Sequence, residues 1–163
     1  MKSLWRISNH CDLSGLAGEK SDGRWHTRAP GKRIVYLTEH PAVALIETLV
    51  HLKGNPAIWP DKYQLMQVMV DPTVIDAARL VTGKDGYIID RTEPLWVTQK
   101  EGDDWLNCQE SAFLVVPSIP SPYSINYLFN PLHPDASSVE IDSCRWIGYD
   151  KRLFHVHRPA TTG

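Results

Sequence analysis

The segment RIVYLTEHPAVALIETLVHL (33–52) decides the architecture, because it passes from a strand pattern to a helix pattern across one short turn. "RIVYL" (33–37) is β-branched and aromatic, whereas "PAVALIETLVHL" (41–52) consists almost wholly of Ala, Val, Leu and Ile. Pro41 suits a first helical turn, Lys53 the negative end of the dipole, and Gly54 a stop, so the sequence predicts a helix over about 40–53. At about 100° per residue, Ala42, Val43, Leu45, Ile46, Leu49, Val50 and Leu52 fill one half of the circumference and predict its buried side. Ala44, Glu47, Thr48 and His51 share the other. Periodicity alone reads Glu47 as an ordinary solvated glutamate. Its strip is small and sparsely charged, however, which suits the wall of a cleft, and His51 adds a titratable ring one turn on.

Outward from this segment, further strand-like runs are "LWRI" near the start, "YQLMQVMV" (63–70), "SAFLVVPS" (111–118), "INYLF" (125–129) and "RLFHV" (152–156). Turn signals separate them: Asp22-Gly23, Ala29-Pro30-Gly31, Gly54-Asn55-Pro56, Lys84-Asp85-Gly86 and the prolines of 117–122. A second, shorter helix is expected within 94–107. Several strands with few helices and mainly non-alternating connections predict an α+β fold.

A chain of 163 residues, 42% hydrophobic, fills one core. We expect one domain over 1–158 and a mobile tail over 159–163. The formal charge of -2 nominates no polyanionic partner. "MKSLWRISNH" lacks the apolar stretch of a secretory leader and no run is long enough to span a bilayer, so the expected location is cytoplasmic. Cys11, Cys108 and Cys144 are odd in number and scattered, which predicts idle thiols and no disulfide framework.

The segment "GRWHTRAPGKRIVYLTEHPAVALIETLVHL" (23–52) resembles the first half of a RES domain, the toxin family named for its Arg, Glu and Ser. "GDDWL" (102–106), "ESAFLVVPS" (110–118) and "NYLFNPLHPD" (126–135) resemble its later motifs, in order and at similar spacing. The loop "HTRAPGKR" departs from the plainer W-N-x-x-G form, which leaves the roles of Arg28, Lys32 and Arg33 open. The resemblance implies an ADP-ribosyltransferase-like fold with a split, mainly antiparallel sheet and NAD+ as substrate in a cleft, no metal being expected. It also implies a toxin that depletes NAD+ until silenced by an Xre-type, helix-turn-helix antitoxin, as a hetero-oligomer; homo-oligomers are a further possibility.

The site residues implied are Glu47, Arg6, Arg24, Tyr36 and Ser111. Nicotinamide leaves NAD+ neutral, so a general acid is unnecessary and the useful device is a fixed anion beside the ribose, where positive charge develops. Glu47 fits that need. Arg6 and Arg24, each beside a tryptophan, suit the pyrophosphate; without the family they read as surface ion-pair residues. Tyr36 suits stacking on nicotinamide or a hydroxyl contact, and otherwise reads as a core tyrosine. Ser111 suits a hydrogen bond to the substrate or to Glu47, with no nucleophile frame around it. Asn126 and Asn130 read as turn and strand-end residues. The alternatives are ADP-ribose transfer to a protein, a ribonuclease toxin using His51, His155 or His157, a metal pair at "HVH" (155–157), and a non-enzymatic binding module.

Overall fold

The computed structural model describes residues 1–52, 59–81 and 93–154. The Gly54 stop, the Lys84-Asp85-Gly86 turn, the "HVH" pair and the tail lie outside the described residues. Among the described residues seven strands form one sheet: β1 (Lys2–Ile7), β2 (Val35–Thr38), β3 (Lys62–Val70), β4 (Arg79–Leu80), β5 (Phe113–Pro117), β6 (Ile125–Phe129) and β7 (Val139–Gly148). Their order is β4-β5-β6-β2-β1-β3-β7, and every pairing is antiparallel except β4 with β5. Among the described residues four α-helices accompany the sheet: α1 (Ala17–Lys20), α2 (Pro41–Leu49), α3 (Pro72–Asp76) and α4 (Leu95–Cys108). The fold is α+β, as expected.

The sheet is split at its centre. β1 and β2 pair only at Trp5 and Thr38, whereas β1 stays in register with β3 from Lys2 to Ile7 and β2 with β6 along its whole length. Beyond the single pair the two halves part beside Arg6, Ile7, Tyr36 and Leu37. Alternation along the strands feeds two cores. Phe113, Tyr127, Phe129, Val35, Leu37 and Leu4 join one, while Leu114, Val116 and Leu128 join the other with Trp25, Trp105 and Leu106.

The strand and helix of 33–52 form where the sequence places them, with two corrections. α2 ends at Leu49 with Val50 as its cap, short of the expected 53. Its facing is also turned from the periodic expectation: Val43 is buried as expected, but Ala44 is buried with it and Glu47 and Thr48 are half-buried, while Ala42, Ile46 and Val50 are exposed. Ala44, Glu47 and Thr48 border the gap where β1 and β2 part. Thr48 satisfies its own hydroxyl on the Ala44 carbonyl.

α4 is longer than predicted, at 14 residues. Its mean hydropathy is low, but Thr98, Gly102, Trp105 and Leu106 recur at helical spacing and are buried. The expected strand at 152–156 is not formed in its described part, since Lys151–Phe154 is a 3-10 helix that brings the Phe154 ring against Trp59 and Tyr149. β7 had no counterpart in the sequence reading. It is an edge strand studded with Glu140, Asp142 and Arg145, and a bulge opposite Gln67 and Val68 interrupts its alternation.

The cysteines also require correction. Cys11 and Cys144 form a disulfide, with Cα atoms 6.2 Å apart. Met66 pairs with Arg6 on one side and Cys144 on the other, so the chain leaving β1 lies near the middle of β7 although the two cysteines are 133 residues apart. Cys108 is free and exposed.

Candidate active site

Glu47 is aimed by three elements. α2 starts immediately after β2 through a turn in which His40 caps the helix by accepting from the Ala42 N–H at 3.2 Å. Thr38 donates its hydroxyl to the His40 carbonyl, and Glu39 accepts from the Ile125 N–H at 2.9 Å, tying the turn to β6. The Glu47 carboxylate then meets the ends of β5 and β6: Oε1 accepts from Ser118 Oγ at 2.8 Å and from Asn126 Nδ2 at 2.6 Å. Ser118 and Asn126 are both buried. Among the described residues Oε2 accepts nothing, which leaves it for a ligand.

A hollow of about 300 Å³ opens in front of this carboxylate, and Arg6, Arg24, Tyr36, Glu47, His51 and Asn126 all border it. A second, of about 230 Å³, lies along the parting of β1 and β2 and shares Arg6, Tyr36, Glu47, His51 and Asn126 with the first. The two are lobes of one cleft. Burial holds the Arg6 guanidinium below its ordinary value, against the opposing charge of Asp12. Arg6 makes no ion pair among the described residues. A half-buried cation beside an open cleft is suited to an anionic ligand.

The segment carrying Arg24 is held from above by α4. Thr98 Oγ1 donates to the Arg24 carbonyl at 2.7 Å, and Gln99 Nε2 to the Gly23 carbonyl at 3.0 Å. Arg24 Nη2 donates to the Glu93 carbonyl at 2.7 Å. A Cβ on Gly102 would coincide with the Trp25 carbonyl oxygen, so the helix and the segment touch backbone to backbone. Asp103 accepts from the Thr27 N–H at 3.0 Å and from its hydroxyl at 2.6 Å, and pairs with Lys32 at 2.8 Å. The "GDDWL" motif is thus the clamp on "GRW". Of the cations left open, Lys32 belongs to the clamp, Arg33 pairs with Glu19 at 3.0 Å, and Arg28 is exposed, its backbone N–H donating to Asp22.

Tyr36 borders both lobes, and its hydroxyl is occupied. Tyr36 Oη accepts from the Trp25 N–H at 3.1 Å and lies 2.9 Å from His26 Nδ1. Burial pushes the phenol well above its ordinary value, so it stays protonated.

Ser111 does not join this group. It is buried, donates to the Phe113 carbonyl at 2.8 Å and accepts from Trp105 Nε1 at 3.2 Å and from the Arg79 N–H at 3.3 Å. It pins α4 to β4 and β5. Ser118, at the other end of the same strand, is the serine on Glu47. Asn126 likewise contacts Glu47, contrary to its reading as a strand-end residue, whereas Asn130 does shape a turn by accepting from the Leu132 N–H. The missed signal was register: Val116 pairs with Asn126, so the residue just beyond Pro117 lies level with the start of β6.

Among the described residues no helix is long and apolar enough to cross a membrane, and no group of three or more His, Cys, Asp or Glu is placed to hold a metal.

Residues 3–150 match the RES domain family. A Pseudomonas putida protein named Toxin Res is 36% identical over 143 residues, covering 85% of this chain and 90% of the relative. A Sphingobium protein named Prs ADP-ribosylating toxin is 34% identical over 158 residues, covering 93% of this chain and 96% of that protein. In fold, the chain superimposes with a TM-score of 0.67 on the crystal structure of the M. tuberculosis MbcT-MbcA toxin-antitoxin complex, at 12% identity over 90% of this chain and 84% of the other. The chain belongs to the RES domain family of toxins.

Proposed function

We propose that the cleft binds NAD+ and that Glu47 promotes cleavage of its nicotinamide–ribose bond. The observation carrying this reading is the Glu47 carboxylate, fixed through one oxygen by Ser118 and Asn126 and open at the other, in a cleft that two arginines border. As the bond breaks, positive charge spreads over C1' and the ring oxygen of the ribose while nicotinamide leaves neutral. A carboxylate beside the sugar, hydrogen-bonded to a ribose hydroxyl through Oε2, gains attraction only as that charge grows, so it lowers the barrier more than it tightens ground-state binding. Because two neutral donors already hold it, no reorganisation is needed during the reaction. Arg6 and Arg24 take the pyrophosphate, and the Tyr36 ring packs against the nicotinamide. Ser118 fills the positioning role the sequence reading gave to Ser111.

The acceptor of ADP-ribose is water or phosphate, which makes the chain an NAD+-degrading toxin held silent by an Xre-type, helix-turn-helix antitoxin. A second reading, transfer to a protein, is favoured by the Sphingobium relative, which is named an ADP-ribosylating toxin. The test is NAD+ consumption by the full chain freed of any partner, beside its Glu47→Gln variant. We expect turnover in the native protein and none in the folded variant. Free ADP-ribose, its phosphorylated form, or a labelled protein identifies the acceptor. Near-normal consumption by the variant overturns the assignment.

A further inference from the structure

His26 is a buried histidine with both ring nitrogens engaged, and it borders the cleft. Nε2 lies 3.1 Å from the Ser21 carbonyl, an acceptor only, so Nε2 carries the proton. Nδ1 of the neutral ring is then an acceptor, and its partner at 2.9 Å is Tyr36 Oη. Since Oη also accepts from the Trp25 N–H, its own proton goes to His26. The chain of donors therefore has one direction: Trp25 N–H to Tyr36, Tyr36 O–H to His26, His26 N–H to Ser21. Space is closed around it as well. A Cβ on Gly23 would lie 2.5 Å from Tyr36 Oη and 2.6 Å from His26 Nδ1. Tyr36, which borders both lobes, is thus fixed through its hydroxyl by a group that has to be neutral.

We propose that His26 is a positioning residue for the binding site: its neutral form locks Tyr36 against the cleft, and its protonation breaks that lock and weakens binding of the dinucleotide. When Nδ1 gains a proton, His26 and Trp25 both donate to Oη, and the phenolic proton loses its acceptor. It must turn toward the cleft, or the ring must shift. Burial is the main influence on His26 and holds it below the ordinary histidine range, so the lock is intact at neutral pH. The other charges facing this group are Asp103 on α4 and Lys32 beside it, which favour and oppose protonation respectively and neutralise each other as an ion pair. Glu47 on α2 faces Tyr36, and Asp22 borders the same hollow.

This proposal rests on the NAD+ reading for its kinetic consequence but not for its structural one, and the test separates them. Nitrogen NMR of the histidine rings in the full chain is expected to show His26 as the Nε2–H tautomer, titrating below the ordinary range. In Tyr36→Phe the titration moves upward, because the donor that favoured the neutral ring is gone. An Nδ1–H tautomer, or a titration unmoved in Tyr36→Phe, overturns the lock whether or not NAD+ is the substrate. In NAD+ turnover, KM of the native chain is expected to rise as the pH falls below the His26 value, by up to about tenfold per unit, with a smaller change in kcat. His26→Ala raises KM roughly tenfold at all pH values. His26→Asn, whose Oδ1 can accept from Tyr36 in place of Nδ1, restores much of that loss and lacks the acid rise. An acid rise of equal size in His26→Asn assigns it to another group, such as Glu47, and overturns the proposal. Absence of NAD+ turnover in the native chain counts against the NAD+ reading alone, and the NMR result then decides the lock.

Discussion

Asn126 Nδ2 lies 2.6 Å from Glu47 Oε1, on the oxygen that also accepts from Ser118 Oγ at 2.8 Å. This contact is maintained at a cost, because the other end of the amide, Asn126 Oδ1, is buried with no hydrogen-bond partner among the described residues. An unsatisfied buried acceptor destabilises by about 1–3 kcal/mol. Asn126→Ala removes that penalty together with the donor. We expect the urea midpoint to stay close to that of the native chain while NAD+ turnover falls roughly a hundredfold, the scale for losing one fixed donor in an active site. Collapse of stability with activity lost only in proportion to unfolded protein would show that the amide is structural.

Ser118 and Asn126 act on one oxygen, so their losses should not multiply. Ser118→Ala is expected to lower turnover by a similar factor, and the double variant by less than the product of the two. Equal and independent factors would mean that the two side chains serve different groups.

The helix was legible because its composition is strongly biased and Pro41 marks its start, but its facing was not. Periodicity assigns the outward side to the polar strip, and here the inward side faces a site, so Ala44 and Glu47 turn in while Ile46 and Val50 turn out. Glu47, Arg6, Arg24 and Tyr36 are nominated by the resemblance to the family, in whose motifs they stand, and not by periodicity, which reads Glu47 as solvated. Ser118 and Asn126 are not nominated, since their role follows from strand register and from the parting of β1 and β2, which no local window records. β7 was missed for a related reason: an edge strand exposes half its length and carries charges where a central strand would carry Val or Ile.

Gly102 lets α4 lie against the Trp25 backbone, so its replacement should release the segment that carries Arg24. A methyl group there meets the carbonyl oxygen and not a movable side chain. Gly102→Ala is expected to destabilise by about 3 kcal/mol, since only a shift of helix or segment relieves the clash. Glycine's poorer helix propensity would otherwise favour the change by up to about 1 kcal/mol. Urea denaturation decides the sign, and a stabilised variant would refute the close approach.

Asp103 ties stability to pH. Burial alone would raise its pKa, but the hydrogen bonds from Lys32 and Thr27 outweigh this and hold the folded value below the ordinary one. The unfolded chain therefore takes up the proton first as pH falls. The stabilisation is fully present above the unfolded value, near 3.9, and is lost as pH falls through the folded value. Asp103→Asn should be less stable than the native chain at pH 7 by about 2 kcal/mol, the scale of a hydrogen bond to a charged group. The difference should shrink below about pH 4. A gap that stays constant into acid would remove Asp103 as its source.

The bond between Cys11 and Cys144 closes a long loop, which makes it the cross-link with most effect on the unfolded chain. Reduction, or Cys11→Ser, is expected to lower stability by roughly 2–4 kcal/mol, and the variant should no longer respond to reductant. The thiol count provides an independent measure. Denatured without reductant, the chain should take one alkyl label, on Cys108, and after reduction three. Reducing compartments keep most protein thiols free, so labelling in the lysate of producing cells adds a further comparison. One label there as well would mean that the disulfide forms and persists in the producing cell. Three labels in the lysate and one after purification would mean that it closes only in air, and the native stability in cells would then be that of the Cys11→Ser variant.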